Sequence, residues 1–287
     1  MTISFRPLDG TFGAEVLGVD PSQELDASSQ DILREAFDKY DMLILRDAEL
    51  DAAQQARFSR IFGPPAPAPV VNGAPPPAEA DTQYVSNNRS DGIIPEGEMA
   101  FHMDHVFDED PLRIIMLYGI EVPGTGGATK FRATNDIYLS LDDDLREEAE
   151  ATRCLHLFDF NSEGVKGEGG APAPWDESLE GGRSPFSLET ASPGAPRAWQ
   201  PLIWHNPRTG KPAVWCNPGT TIAFENKTID EGYDLLGRIQ RKATDVQEYA
   251  HDWRQGDLVL WNNLTLQHAR TNFDPAEKRT LRRSALM

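Results

Sequence analysis

The sequence predicts a mainly β protein with helices, built on a double-stranded β-helix (jelly roll) core that a few helices buttress. Three observations support this fold class. Short apolar or alternating runs recur along the chain, and turn residues separate them. Helical patterns are few. The 22 Pro and 23 Gly residues indicate that much of the chain lies in loops.

Most of the predicted elements are strands, because their apolar runs are too short for helices. The predicted strands are residues 2–7, 41–47, 83–86, 100–107, 113–118, 202–205, 213–216, 258–261 and 279–286. Helices are predicted where a candidate N-cap precedes an amphipathic stretch. The predicted helices run from Ser28 or Ser29 to about Tyr40, from Asp51 to Phe62, from Asp142 or Asp143 towards Arg153, and from about Asp230 to Thr244.

The length of 287 residues fits one domain, and we predict a single domain over residues 1–287. Two segments interrupt its pattern. Residues 64–80 are rich in Pro and Ala and cannot form regular ladders or helices, so we predict a surface loop beside the active site. Residues from about 161 to 199 are rich in Gly and Pro, and we predict a lid insertion there, because a long patternless stretch inside a domain is usually functional or disordered.

The bulk composition excludes several classes of protein. A formal net charge of −19 argues against a nucleic-acid partner, which would require a basic surface. The two cysteines, Cys154 and Cys216, form neither a disulfide framework nor a Cys-x-x-Cys motif. The N-terminus lacks the pattern of a signal peptide, and no apolar run approaches the ~18 residues of a membrane span. We therefore predict a cytoplasmic protein without a membrane partner, and a homo-oligomer is left open.

A His-x-Asp pair, His102 and Asp104, lies in the predicted strand 100–107. Side chains at positions i and i+2 of a strand point to the same face, so both donors can reach one metal ion. The pair alone is weak evidence, since such spacings also arise by chance. His268 would complete a set of two imidazoles and one carboxylate, which is the donor set of non-heme Fe(II) centres with open positions for oxygen chemistry.

Two arginines, Arg279 and Arg283, follow His268 and share one face of the predicted terminal strand. Burying two cations on one face is costly unless anions meet them, so this pair indicates a site for a dicarboxylate. The alternative is an edge strand whose cations are solvated.

These residues lie in segments that resemble the TauD/TfdA (taurine dioxygenase-like) family of Fe(II)/2-oxoglutarate oxygenases. The segments are Phe101–Phe107 (FHMDHVF), Pro123–Thr129 (PGTGGAT), His205–Gly219 and the series His268, Arg279, Arg283. Thr129 follows His102 by 27 residues, as the family pattern requires. The resemblance runs nearly end to end, and the combination of segments is specific although no single one is.

The resemblance implies a role for each matching residue. His102, Asp104 and His268 would bind Fe(II), and Arg279 would pair with the far carboxylate of 2-oxoglutarate with a hydrogen bond from Thr129. Arg283 would lie near the metal and contact either an anionic group of the substrate or the near carboxylate of 2-oxoglutarate. The implied reaction uses O2 to hydroxylate or oxidatively cleave a small, anionic organic molecule, with release of succinate and CO2. The alternatives are a cupin-like metalloprotein with hydrolase or isomerase chemistry and a non-catalytic jelly-roll binder.

Two departures from the family pattern argue against taurine itself as the substrate. The loop at Pro64–Pro69 has no His, and Glu98 stands where the taurine enzymes have Asn. Glu98 could meet an amine of the substrate, pair with Arg89 or face solvent. His105 and His251 are predicted to be supporting or core histidines, and one of three tryptophans is predicted to line the pocket: Trp199, Trp204 or Trp215.

Overall fold

The structure is a computed structural model that describes residues 2–67, 82–94, 96–159 and 183–287. Its helices are α1 (Ala27–Tyr40), α2 (Ala52–Ser59), α3 (Thr134–Ser140), α4 (Asp143–Glu150) and α5 (Ile229–Ala243). Its strands are β1 (Ser4–Pro7), β2 (Ala14–Leu17), β3 (Met42–Leu45), β4 (Gln83–Ser86), β5 (Gly92–Ile93), β6 (Met99–His102), β7 (Ile114–Glu121), β8 (Thr129–Ala133), β9 (Arg153–Leu157), β10 (Arg197–Pro201), β11 (Ile203–His205), β12 (Pro212–Val214), β13 (Thr221–Phe224), β14 (Glu248–His251), β15 (Leu258–Asn262), β16 (Leu266–Arg270) and β17 (Thr280–Leu286). In the described ranges, no helix combines the length and apolarity that crossing a bilayer requires.

Two sheets form the jelly-roll core. The large sheet has the strand order β1-β2-β3-β15-β7-β17-β4-β5, and the small sheet has the order β14-β8-β16-β6. Three-stranded (β10-β9-β13) and two-stranded (β11-β12) sheets complete the described β structure. The mainly β prediction with a jelly-roll core is confirmed.

Apolar side chains cover both faces of the large sheet. On one face, helices α1 and α2 pack through Leu33, Phe37 and Phe58 against strand residues such as Leu260. On the other face, the small sheet packs against it, and the ring of Phe131 meets Trp261 edge-on with centroids 5.1 Å apart. Each large aliphatic side chain buried in these layers contributes about 1.5–3 kcal/mol. The space between the two sheets is where the predicted site residues meet.

A side-chain cap sets the start of four described helices, α1, α2, α4 and α5, whereas α3 has none. Asp51 caps α2 in a capping box with Gln54, as predicted. For α1, the predicted caps Ser28 and Ser29 are wrong, because the carboxylate of Asp26 accepts a hydrogen bond from the Ser29 amide at 2.7 Å. A carboxylate and a hydroxyl are similarly good caps, so the sequence alone did not distinguish them.

Several predicted boundaries are also wrong, for local reasons. Helix α2 ends at Ser59 rather than at Phe62, since its last turn tightens into a hydrogen bond from the Phe62 amide to the Ser59 carbonyl at 2.9 Å. Helix α4 ends at Glu150, because Arg153 already begins β9. The predicted strand 100–107 ends at His102, and the chain then turns at His105, whose φ is +57°.

The two irregular segments are described only in part. Residues 68–80 of the predicted Pro-rich loop and residues 161–182 of the predicted insertion lie outside the described residues. The start of the first segment lies beside the end of β17, where the backbone amide of Ala66 donates a hydrogen bond to the backbone carbonyl of Ala285 at 2.8 Å. At the end of the second, residues 197–199 belong to β10, which pairs with β9 in the three-stranded sheet.

Candidate metal centre

Three side chains that are distant in sequence converge between the sheets. His102 ends β6 and lies directly opposite His268 of β16, so their rings have centroids 4.2 Å apart. Asp104 Oδ1 lies 3.4 Å from His102 Nε2 and 3.8 Å from His268 Nε2. The ligand atoms of the three residues all lie within 4.8 Å of one another. One metal ion can therefore reach all three donors.

Asp104 reaches this position without being part of a strand. Two buried asparagines hold the backbone of its segment, and we call them the asparagine clasp (Asn217 and Asn263). The Asn217 amide accepts from the Met103 N–H and donates to the Met103 carbonyl, both at 3.1 Å. The Asn263 amide accepts from the Asp104 N–H at 2.9 Å and donates to the Asp104 carbonyl at 2.8 Å. The clasp thus replaces the ladder hydrogen bonds that the predicted strand would have supplied.

The two imidazoles have the forms that bind a metal. His102 Nδ1 lies 2.8 Å from the Ala100 carbonyl, so the N–H is on Nδ1 and the lone pair of Nε2 points towards Asp104. Burial lowers the pKa of His268 to about 3, and the neighbouring His102 adds to this effect. His268 is therefore neutral at physiological pH. Neutral imidazoles with an ionised carboxylate fit a divalent metal such as Fe(II).

Arg283 controls the charge and orientation of Asp104. Its Nη2 donates to Asp104 Oδ2 at 2.8 Å, and its Nη1 donates to Gln83 Oε1 at 2.8 Å. Burial acts to raise the pKa of Asp104, but the charge of the neighbouring Arg283 outweighs it and holds that pKa well below its usual range. The carboxylate is therefore ionised, with Oδ2 held by Arg283 and Oδ1 turned towards the imidazoles.

Arg279 is a buried cation, only 3% exposed. Its Nε and Nη2 donate to the Gly127 carbonyl at 3.3 and 3.2 Å, and its guanidinium lies 5.7 Å from the centroid of the Phe273 ring. Burial, and after it the charge of Arg270, lowers the pKa of Arg279 to about 9. In the described ranges, Arg279 makes no ion pair with a carboxylate. A buried guanidinium without a counter-ion is a ready site for an anion.

The edge-strand alternative for these arginines is wrong. Strand β17 lies inside the large sheet between β7 and β4, and Arg279, Arg282 and Arg283 are all buried. Arg282 points to the other face, where it donates to Gln55 Oε1 and to the Leu50 carbonyl, both at 2.7 Å. Neighbouring arginines of one strand thus have different roles.

Thr129 begins β8, two residues after Gly127, whose carbonyl binds Arg279. A Cβ at residue 127 would lie 3.1 Å from Arg279 Nε, and φ there is +66°, so Gly allows this close approach. The Thr129 hydroxyl accepts a hydrogen bond from Trp253 Nε1 at 2.9 Å. In the ladder between β8 and β16, Thr129 pairs with Arg270, two residues from His268, so Thr129 lies next to the strand that carries this candidate ligand.

Comparisons with known proteins agree with this geometry. The sequence profile of the family described as "Taurine catabolism dioxygenase TauD, TfdA family" matches residues 4–285. The chain belongs to this family. The (S)-phenoxypropionate/alpha-ketoglutarate-dioxygenase of Sphingobium herbicidovorans is 28% identical, over 96% of this chain and 91% of that protein. A pentalenolactone F synthase of Streptomyces avermitilis is 30% identical, over 94% and 89%.

A solved structure of AAD-2 in complex with Mn(II) and N-oxalylglycine has a TM-score of 0.78 and 25% identity. The similarity covers all of this chain and 97% of that one. The prediction of a TauD/TfdA-family fold is therefore confirmed over nearly the whole length of the chain.

The structure also gives the surroundings of the remaining sequence candidates of this TauD/TfdA-family chain. His105 Nδ1 lies 2.8 Å from Asp108 Oδ2, and His251 Nε2 lies 3.0 Å from Asp257 Oδ2.

Trp204 stacks on the buried Trp215 with centroids 5.2 Å apart, whereas Trp199 is 40% exposed. Glu98 is exposed, and Arg89 forms an ion pair with Asp91. Whether one of the tryptophans lines the substrate pocket stays a prediction.

Several residues that shape the site do not stand out in the sequence. These are the two asparagines of the clasp, Gln83, Trp253 and Arg270. Arg270 donates to the backbone carbonyls of Ile94, Glu96 and Gly97, which lie just before β6. Asn263 directly follows an apolar strand, and this position could have indicated a role at the site. Because Asn262 precedes it, however, the sequence favours an ordinary turn formed by the two asparagines.

Proposed function

We propose that this chain is an Fe(II)- and 2-oxoglutarate-dependent dioxygenase that hydroxylates or oxidatively cleaves a small anionic organic substrate, with release of succinate and CO2. One observation carries the proposal. The ligand atoms of His102, Asp104 and His268 lie within 4.8 Å of one another, and Arg279, which donates to the Gly127 carbonyl just before β8, is buried without a carboxylate partner among the described residues.

The protein residues would hold the metal as a tridentate set. His102 and His268 would bind through Nε2 and Asp104 through Oδ1, because Arg283 holds Oδ2. When bound by three protein ligands, Fe(II) leaves coordination positions for 2-oxoglutarate and O2 and supplies the redox chemistry that couples their reaction to oxidation of a substrate. Arg283 would keep Asp104 ionised and in this orientation.

The far carboxylate of 2-oxoglutarate would bind at Arg279 and Thr129. A planar guanidinium can donate two parallel hydrogen bonds to one carboxylate, and charge-assisted bonds of this kind contribute about 1.5–3 kcal/mol each. The burial of Arg279 strengthens this interaction because little water competes for the donors. The site would therefore select a small dicarboxylate over a monocarboxylate.

Arg283 is the basis for proposing an anionic substrate. A guanidinium has five N–H donors, and two hydrogen bonds, to Asp104 and Gln83, are formed within the chain. The remaining donors could bind an anionic group of the substrate or the near carboxylate of 2-oxoglutarate. The name of the Sphingobium relative gives phenoxypropionate, a carboxylate, as its substrate.

The cupin-like alternative, a hydrolase or isomerase, explains the three metal ligands but gives no role to Arg279. A buried cation without a counter-ion would then only destabilise the fold. The dioxygenase proposal explains both features with one co-substrate.

The proposal is tested by measuring succinate release from 2-oxoglutarate with Fe(II) and O2 over a panel of aryloxyacids, sulfate esters and sulfonates. At least one anionic substrate is expected to stimulate succinate formation. His102→Ala and Asp104→Ala are expected to abolish it, whereas His205→Ala, a matched change at an exposed histidine paired with Glu150, is expected to keep it. Normal turnover in the His102 and Asp104 variants would contradict the proposal.

A further inference from the structure

The hydroxyl of Thr129 has a fixed direction. Trp253 Nε1 lies 2.9 Å from Thr129 Oγ1, and an indole N–H can only donate, so the hydroxyl oxygen must be the acceptor. Thr129 is buried, and within the described part of the chain its hydroxyl donates to no acceptor. The hydrogen of this hydroxyl is therefore available to a ligand.

This hydroxyl lies close to the buried cation. The carbonyl of Gly127 binds Arg279, and two residues of extended chain span at most about 7 Å, so Thr129 is near the same guanidinium. An anion bound at Arg279 would meet a hydroxyl that can donate a hydrogen bond, because Trp253 already occupies its oxygen.

Trp253 is itself held in place by a buried network. Its ring packs edge-on against His251, with centroids 4.6 Å apart. His251 Nε2 lies 3.0 Å from Asp257 Oδ2, and the same oxygen accepts from Arg46 Nη1 at 2.6 Å and from the Arg254 amide at 2.8 Å. The indole therefore has a defined orientation before any ligand binds.

We infer that Trp253 is a positioning residue for 2-oxoglutarate. The indole N–H donates to the oxygen of the Thr129 hydroxyl. The hydrogen of that hydroxyl therefore points away from Trp253 and is donated to the far carboxylate of 2-oxoglutarate. This inference rests on the proposed function, since that function identifies the anion. Without the indole N–H, the hydroxyl could rotate and its preorganised hydrogen bond would be weakened.

The test measures the affinity of Mn(II)-loaded protein for 2-oxoglutarate by anaerobic calorimetry, where no turnover is required. The variants are Trp253→Phe, Thr129→Val and the double variant, with Trp199→Phe as the matched change at an exposed tryptophan. Thr129→Val is expected to raise the Kd about 10- to 100-fold, as loss of a charge-assisted hydrogen bond predicts. Trp253→Phe is expected to raise it about three- to tenfold, because only the orientation is lost.

The double variant separates positioning from general damage. If Trp253 acts through the hydroxyl, the double variant binds 2-oxoglutarate no more weakly than Thr129→Val alone. Fully additive effects, or a wild-type Kd in Trp253→Phe, would overturn the inference. Mn(II) affinity is measured in every variant and is expected to stay within about twofold, since none of these residues is a metal ligand.

Two further results keep the test decisive. If Trp253→Phe does not fold, Thr129→Ser provides the comparison, because it keeps the hydroxyl and is expected to bind 2-oxoglutarate like the wild type while Thr129→Val does not. Weak binding by Thr129→Ser, equal to that of Thr129→Val, would overturn the inference. A wild-type protein that binds Mn(II) but not 2-oxoglutarate would instead refute the proposed function.

Discussion

The two sides of the metal centre are built in different ways. His268 lies in the middle of β16, which pairs in unbroken register with β8 on one side and with β6 on the other, where the register shifts after His268, so ladder bonds fix its backbone. Asp104 lies beyond the end of β6, where the asparagine clasp fixes the backbone instead. One ligand is therefore held by the sheet and the other by side chains from distant segments.

The positions of the two ligands therefore depend on two different kinds of hydrogen bond. A strand inside a sheet keeps its position even when a neighbouring side chain changes, because its backbone bonds do not depend on side-chain identity. A turn held by side-chain amides loses its hydrogen bonds when one amide is removed. The Asp104 side should therefore be the more sensitive side of the metal centre.

The largest effect is expected for Asn263→Ala. The change removes the hydrogen bonds to the Asp104 backbone and a further bond of 2.8 Å to the Leu112 carbonyl. Buried backbone groups left without partners should lower the free energy of unfolding by about 3–4 kcal/mol. Misplacement of Asp104 should weaken Mn(II) binding about 10- to 100-fold. Urea denaturation and calorimetry measure the two quantities.

The adjacent residue provides the control for this prediction. Asn262 donates to Asp41 Oδ1 at 2.9 Å and accepts from the Leu264 amide at 3.1 Å, but it does not bond to Asp104. Asn262→Ala should lower stability while leaving Mn(II) affinity within about twofold. Equal losses of metal affinity in both variants would show that the clasp does not position Asp104.

The same comparison explains which parts of the site could be predicted from the sequence. The cluster of His102, Asp104 and His268 and the burial of Arg279 and Arg283 could be predicted, because residue type and spacing carry their chemistry. The clasp could not, since an Asn that caps a turn and an Asn that binds remote backbone look alike in sequence. Strand β16 was missed because His268 and Arg270 interrupt its apolar pattern. The reasons for these two residues appear only in three dimensions: His268 belongs to the cluster of candidate ligands, and the buried Arg270 binds three backbone carbonyls.

A pH effect of intermediate size is expected at His156, which lies next to the Asn217 side of the clasp. Thr220 Oγ1 lies 3.0 Å from His156 Nδ1 and donates to the Asn217 carbonyl at 3.2 Å. Burial lowers the pKa of His156 to about 3 from an ordinary value of 6.5. The unfolded chain therefore binds a proton that the folded chain does not bind between these pH values, and stability must fall as the pH falls below about 6.5.

For His156 alone, proton binding by the unfolded chain lowers the free energy of unfolding by about 2 kcal/mol between pH 7 and pH 5. His156→Gln should remove this part of the pH dependence, so the decrease in unfolding free energy from pH 7 to pH 5 should be smaller in the variant than in the wild type. The measurement is urea denaturation at both pH values. An unchanged decrease would contradict a neutral, buried His156.

The smallest effect on metal binding is expected on the strand side, for Trp261→Phe. The Trp261 ring packs on His268 with centroids 4.9 Å apart, and it is fully buried. Its replacement leaves a small cavity and should lower the free energy of unfolding by about 1–2 kcal/mol. Mn(II) affinity should change by less than about twofold, because the ladder bonds of β16 still fix the His268 backbone. A loss of metal affinity as large as that of Asn263→Ala would mean that side-chain packing, rather than the sheet, holds His268, and the contrast between the two sides would disappear.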